Sequence, residues 1–258
     1  MAVLTFAKWI TTAPEWILSL PEGLQRLVFQ FYQVFVHENR WTFFTDGLIT
    51  TFVVTIGALI IGVIIGMIVA LIRTTHDSQS RKPNFILRVL NSICKIYVTV
   101  LRGTPLMVQL LIMGFVVMVP KGSFETTMCA IVTLGINSGA YVAEIARSGI
   151  MSINAGQREA GRSLGLNYAQ TMWYIIIPQA VKNILPALGN ELIALLKETS
   201  LVTVIALQDV TKAAQVIVSK TYTAVIPYVS LALIYLVLVM ILTKLLEIFE
   251  RRLRKSER

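Results

Sequence analysis

Residues 48–72 contain no charged side chain. At 1.5 Å of rise per residue, a helix of that length crosses the roughly 30 Å hydrocarbon core of a bilayer. No water-facing surface accommodates it. The rest of the chain agrees, since 55% of its 258 residues are hydrophobic, only 14% are charged and the mean hydropathy is +0.71. That leaves too little polar surface for a soluble domain of this size. The fold class is therefore expected to be an all-α membrane protein. Although the formal net charge is +9, Lys and Arg gather at the ends of apolar runs, the pattern of membrane topology. Membrane lipid is thus an expected partner and nucleic acid is not.

Five spans are expected. Residues 48–72 form the first, with Gly57, Gly62 and Gly66 as a face for close helix contact, and a polar loop over residues 73–83 follows. From Phe85, the residues Arg88, Ser92, Lys95, Thr99 and Arg102 recur every three or four positions among apolar neighbours. This amphipathic helix enters the membrane and breaks at Arg102-Gly103-Thr104-Pro105, and residues 104–119 complete the second span. Residues 126–145 form the third span, with Gly135 and Gly139 at close-packing spacing. Residues 186–205 form the fourth and residues 225–243 the fifth, before a basic tail over residues 251–258.

Ahead of the first span, Trp16, Leu20, Leu24, Leu27, Phe31 and Val34 recur at helical steps, which predicts an N-terminal interfacial amphipathic helix. A sixth span is the competing reading, weakened by Pro21, Glu22 and Arg26. No small-residue cleavage site follows a compact apolar core, so this segment is expected to be retained. The expected organisation is an extracytoplasmic or interfacial segment over residues 1–46, a transmembrane domain over residues 47–250 and the tail over residues 251–258.

Lys and Arg set the orientation. Residues 73–88, 147–182 and 244–258 hold four, four and six of them, against three, one and two in residues 1–46, 120–125 and 206–224. The richer set faces the cytoplasm. Five spans then put the N-terminus outside and the C-terminus inside, in a multi-pass cell-membrane protein.

Ionisable groups inside a span cost about 2.5–3.5 kcal/mol at its centre, so they face a cavity or one another. Glu191 and Glu198 stand two helical turns apart on one face. Asn137, Ser138, Tyr141 and Glu144 come from the third span, and Thr104 and Gln109 from the broken second one. Together they are the candidate lining of a polar cavity able to hold a zwitterion's ammonium on carboxylates and its carboxylate on Asn, Thr or Lys groups. The alternative is that Lys197 and Glu198 pair at a helix contact and that Glu144 caps a helix or snorkels. Cys94 and Cys129 lie far from any ligand-spaced partner, so neither a disulfide framework nor a metal site is expected, and His37 and His76 stand alone in polar segments. No G-x-x-x-x-G-K-[ST] occurs, so the chain is not expected to bind ATP by a P-loop.

The cytoplasmic loop, about residues 152–182, carries the most specific signal. Glu159-Ala160-Gly161, three residues, Gly165, nine residues, then Ile175-x-Ile177-Pro178 resembles the EAA loop, E-A-A-x3-G-x9-I-x-L-P, of the membrane subunits of ABC importers. Gly161 replaces the second Ala and Ile177 the Leu. Residues 157–164 favour a helix, Gly165 a positive φ that ends it, and residues 166–177 a second helix that Pro178 interrupts. Gly161, with no side chain to hold a partner away, and Leu164 are expected to present a small apolar face to a groove.

The order R-G-T-P, N-S-G-A-Y-V-A-E, E-A-G-x3-G, P-Q-A, L-G-N-E-L and K-E-T-S-L resembles the permease subunit of ABC importers for polar amino acids, the histidine/glutamine-type family, over residues 44–250. The resemblance implies a non-enzymatic permease that pairs with a second permease chain, identical or homologous. It also implies two ATP-binding subunits on the Glu159, Ala160, Gly161, Leu164, Gly165 and Pro178 loop, with ATP and Mg held on those partners and no cofactor on this chain. An extracytoplasmic binding protein would deliver the amino acid, and ATP-driven closure would switch the permease by alternating access. Rival readings are an ion-coupled secondary transporter with Glu191 and Glu198 as relays, and a non-transporting scaffold.

Overall fold

The computed structural model describes residues 5–78 and 83–255, and no strand occurs among them. Three short helices, α1 (Phe6–Ile10), α2 (Glu15–Leu18) and α3 (Glu22–Phe31), precede α4 (Trp41–Asp77). There follow α5 (Phe85–Gly103), α6 (Leu106–Ile112), α7 (Ser123–Met151), α8 (Ala155–Ser163) and α9 (Tyr168–Thr171). The last three are α10 (Ile177–Glu198), α11 (Val210–Thr221) and α12 (Val225–Lys255). Among the described residues α4, α7 and α12 are each long and apolar enough to cross a membrane. Two more crossings are available if each bent pair counts as one: α5 with Leu106–Val117, bent by 105°, and Tyr168–Ile205 with α11, bent by 49°.

The bundle is organised on the contact between α4 and α7. Ser138 and Val142 of α7 lie over Gly62 and Gly66 of α4, while Ile61 and Ile65 of α4 lie over Gly135 and Gly139 of α7. A Cβ on Gly66 would stand 2.6 Å from Val142 Cβ, and one on Gly135 would stand 2.7 Å from Ile61 Cβ. The expected small faces thus form one interdigitated seam. On one side of it Val54, Ala58, Leu110, Leu134, Leu195, Val202 and Ile205 form the largest buried cluster, and Ala70, Ala146, Ile150, Met172 and Ile176 form another. Most of α7 is buried and hardly any of α12 is fully so, which makes α7 the central helix and α12 a peripheral one.

Several boundaries differ from the sequence expectation. The first span does not give way to a loop at Arg73: α4 runs to Asp77, because Arg73 pairs with Glu144 and Thr74 Oγ1 donates back to the Ala70 carbonyl at 2.8 Å. Residues 79–82, including Arg81 and Lys82 of the charge count, lie outside the described residues, as do residues 256–258. The basic tail is helical as far as Lys255, a continuation of α12. Residues 206–224, expected as a connector, contain α11. Asp209 Oδ1 caps it by accepting from Lys212 N at 2.8 Å, and its start rests on Gly47 of α4.

The N-terminal helix expected from Trp16 is divided at Leu20-Pro21 into α2 and α3. Leu24, Leu27 and Phe31 lie on an exposed stripe as expected. Val34 does not: the wide turn Tyr32–Val36 adds a residue to the register and swings Val34 inward against Phe44, Val210 and Ile217. On the opposite side Trp9, Ile17 and Phe29 form a small core of their own, with the Trp9 and Phe29 rings 5.2 Å apart. Arg40 ties the segment to α4 by donating to the Gln33 carbonyl at 3.0 Å and pairing with Glu38, whose carboxyl that hydrogen bond lowers below its usual range.

Candidate functional site

The break between α5 and α6 frees backbone carbonyls, and polar side chains gather there to meet them. Gln109 Nε2 donates to the carbonyls of Leu101 (2.9 Å) and Thr104 (3.2 Å) and to Thr104 Oγ1 (2.9 Å). Its Oε1 accepts from Asn137 Nδ2 at 2.9 Å, which also donates to the Leu101 carbonyl at 3.3 Å. The next residue, Ser138, donates from Oγ to Glu191 Oε1 at 2.6 Å. Thr104, Gln109 and Asn137 are therefore one hydrogen-bonded group, and the Ser138–Glu191 pair beside it on α7 extends the row of polar side chains from the broken helix to α10.

Glu198, two turns beyond Glu191, makes no hydrogen bond or ion pair among the described residues and borders an open cavity with Lys197. Tyr141 carries the Arg102 guanidinium 5.1 Å above its ring. Glu144 lies apart, paired with Arg73 and, at 3.5 Å, with Arg147, which reaches Asp77 at 3.7 Å. That cluster joins the last turns of α4 and α7. Two carboxylates and a hydroxyl without a fixed cation can accept hydrogen bonds from an ammonium or guanidinium ligand.

The Glu159–Pro178 loop forms a second candidate site. Asn154 Oδ1 caps α8 by accepting from Gly156 N at 2.8 Å. The helix ends as Leu166 N donates to the Gly161 carbonyl and Gly165 N to that of Arg162, each at 3.0 Å, with Gly165 at φ +78°. A reciprocal cap, Asn167 with Gln170, starts α9. The corner at Gly165 is as expected, but two features differ. Pro178 does not interrupt the second helix, because the wide turn Met172–Ile176 restarts the hydrogen-bond ladder and puts Pro178 in the first turn of α10, where no N–H is needed. Nor does Gly161 face outward: it is buried, and a Cβ there would stand 2.7 Å from Thr171 Cγ2. Its missing side chain lets α8 lie on α9.

The outward face instead carries Glu159, Ala160 and Leu164, the last 78% exposed, together with Trp173 and Tyr174, which sequence reasoning did not single out. Nothing in the spacing marked those two rings, since their exposure follows from the wide turn. Glu159 borders a cavity of about 300 Å³ with Asp77, Arg158 and Arg162, so the loop adjoins the Arg73–Glu144–Arg147–Asp77 cluster. Cys94 and Cys129 are free and buried, and His76 Nδ1 stands 3.2 Å from Asp77. Among the described residues no three His, Cys, Asp or Glu side chains gather to hold a metal.

Residues 62–255 match the model of the family described as binding-protein-dependent transport system inner membrane component. The arginine transport system permease protein ArtQ of Bacillus subtilis (strain 168) is 39% identical over 216 residues, covering 83% of this chain and 94% of its own. The glutamine transport system permease protein GlnP of Escherichia coli (strain K12) is 36% identical over 168 residues, 64% of this chain and 77% of its own. A solved amino acid ABC transporter with histidines superposes with a TM-score of 0.74 at 42% identity, covering 84% of this chain and 98% of that one.

Proposed function

The chain belongs to the binding-protein-dependent transport system inner membrane component family, as a permease subunit of the amino acid ABC importer kind, and from that premise we propose how it works. It moves a polar amino acid into the cytoplasm by alternating access, coupled to separate ATP-binding subunits through the Glu159–Pro178 loop. The observation that carries this reading is the Ser138–Glu191 hydrogen bond beside the α5–α6 break, with Glu198 two turns away. Charged groups in a membrane protein's interior are retained where they meet a ligand or a cavity. The ligand's ammonium sits on these carboxylates. Thr104, Gln109 and Asn137 shape the wall, Tyr141 stands at the mouth under Arg102, and Glu144 braces the ends of α4 and α7.

Five spans, each bent pair counting as one, place the N-terminus outside and the C-terminus in the cytoplasm of a bacterial cell with the protein in its inner membrane. The segment before α4 lies in the outer interface. Two ATP-binding subunits, which hold ATP and Mg, dock on the loop. A second permease chain and an extracytoplasmic binding protein complete the assembly, and this chain carries no cofactor. Displacement of the loop passes to α4 and α7 through the Asp77 and Arg147 contacts.

The test is amino-acid-stimulated ATP hydrolysis and uptake by the reconstituted complex. Glu191→Gln keeps the shape and removes the charge, so insertion and assembly remain normal while uptake falls at least roughly tenfold, the worth of one charge-assisted hydrogen bond. Unchanged uptake at normal insertion would remove Glu191 from the binding cavity.

A further inference from the structure

Between its packed side and its apolar side, α5 carries a third face that the cavity described above does not use. Arg88, Lys95 and Arg102 recur every seventh residue with Ser92 and Thr99 between them, so the five share one stripe of the helix. All five are exposed. On one flank of the stripe Asn91, Cys94 and Val98 are buried, the last two against Val69 of α4 and Ala140 and Ala143 of α7. On the other flank Val89, Ile93, Ile96 and Val100 are exposed and apolar, a surface suited to lipid.

The stripe runs into the membrane rather than along its surface. Cys94 shares a cluster with Val69, one turn before Arg73, while Tyr97 Oη donates to the Ile136 carbonyl at 2.6 Å and the Leu101 carbonyl accepts from Gln109 and Asn137. From Arg88 to Arg102 the helix rises about 21 Å, from the end of α4 that carries Arg73 to the break before α6. By the sidedness proposed above, that is the inner half of the bilayer. A cation among lipid tails costs about 2.5–3.5 kcal/mol, and charges of one sign cannot neutralise one another. Arg88 and Lys95 make no side-chain hydrogen bond or ion pair among the described residues, and the Arg102 guanidinium has the Tyr141 ring beneath it. Glu144, next to Ala143, is already held by Arg73 and Arg147. The face therefore meets water, and the exposed Tyr141 and Ser148 of α7 continue it.

We propose that this stripe lines a water-filled exit from the α5–α6 break to the cytoplasm and acts there as an electrostatic filter, which admits small anions and carboxylate-bearing solutes and turns back inorganic cations. A positive charge at every second turn keeps the potential of one sign along the path, and low-dielectric walls focus it to several kT. A permease open to the inside can then release its cargo while Na⁺ and K⁺ stay out. The exit rests on the transport reading given above.

The experiment uses the full transporter complex in inverted membrane vesicles, cytoplasmic face outward. Cysteine replaces Ser92 or Thr99 on the stripe and Ile93 or Ile96 on the apolar flank, and the wild type, whose Cys94 and Cys129 are buried, gives the background. Each variant is treated with a sulfonate-bearing and a trimethylammonium-bearing methanethiosulfonate. Each rate is divided by that of free cysteine with the same reagent, so the ratio of the two reports local charge and cancels the reactivity of the thiol. Ser92→Cys and Thr99→Cys react, with the ratio favouring the sulfonate by roughly tenfold or more, while Ile93→Cys and Ile96→Cys stay at background. Lys95→Gln lowers the ratio at Thr99→Cys severalfold and Lys95→Arg restores it. Stripe cysteines that stay inert overturn the exit, because a second permease chain or lipid then covers the face. A ratio near one, or one indifferent to Lys95→Gln, overturns the filter. Uptake by right-side-out vesicles supplied with the binding protein tests the transport reading separately: its absence removes that reading and the exit with it, whereas an inert or charge-indifferent stripe in importing membranes removes the exit alone.

Discussion

Gln109 is occupied at both ends of its amide by the break between α5 and α6, which separates its role from that of Ser138 one contact further along. Gln109→Ala leaves the Leu101 and Thr104 carbonyls without their side-chain donor, at a cost of about 1–3 kcal/mol. Ser138→Ala removes only a side-chain partner of Glu191. The expected outcome is a lower thermal midpoint for the first variant and weaker amino-acid binding at an unchanged midpoint for the second. Equal midpoints would show that the break is satisfied without Gln109. At this scale much was legible from residue type and helical spacing: Asn137, Ser138, Glu191, Thr104 and Gln109 do converge. Glu144 could be placed on α7 but not beside Arg73, because the two are separated by 71 positions and only the packing of α4 on α7 joins them.

Among the elements, the loop from α8 to α10 gave its corner away in advance, since a glycine followed by Leu166 at the end of a helical stretch is a recognisable C-terminal cap. The direction of Gly161 was not legible, because a glycine is equally suited to meeting a partner and to lying under its own chain. The two glycines now separate by experiment. Gly165→Asp meets open space but must hold a positive φ, at about 1–3 kcal/mol, and puts a charge beside the exposed Leu164. Gly161→Val drives a side chain into Thr171 and pushes α8 off α9. Co-purification with the ATP-binding subunits should fail in both, yet protease resistance of the loop in the isolated permease should fall only in Gly161→Val. An intact complex with tight coupling in Gly165→Asp would sink the docking role of the corner. A further element legible in the sequence is α11: Asp209 followed by Val210, Ala213, Ala214 and Ile217 is a cap and an apolar face at helical steps, where only a connector was expected.

For the molecule as a whole, the charge count and the proposed five-crossing path make one statement about sidedness that labelling can check. A cysteine at Thr11 should react with a membrane-impermeant maleimide in intact cells, and one at Ser163 only after permeabilisation. A spin label at Leu24, on the exposed apolar stripe of α3, should collide with oxygen more than with an aqueous nickel chelate. Reaction of Ser163→Cys in intact cells reverses the topology, and an aqueous profile at Leu24 lifts the segment off the interface. The class of fold could be read from the charge-free run alone, but the pairing of α4 with α7 required both sets of glycines to be recognised as two halves of one contact. In that contact Ile131 and Val142 of α7 sit over Gly57 and Gly66 of α4, and Ile61 and Ile65 of α4 over Gly135 and Gly139 of α7. A slip of one residue along the axis would force isoleucine and valine onto backbone that has no room for them, so the two helices have no partly displaced setting in which to yield. Held also at one end by Arg73, Glu144, Arg147 and Asp77, the pair is built as a pushrod rather than a spring: in the coupling proposed above, a stroke applied at one end would arrive at the other undiminished, with the bending left to the joints around it.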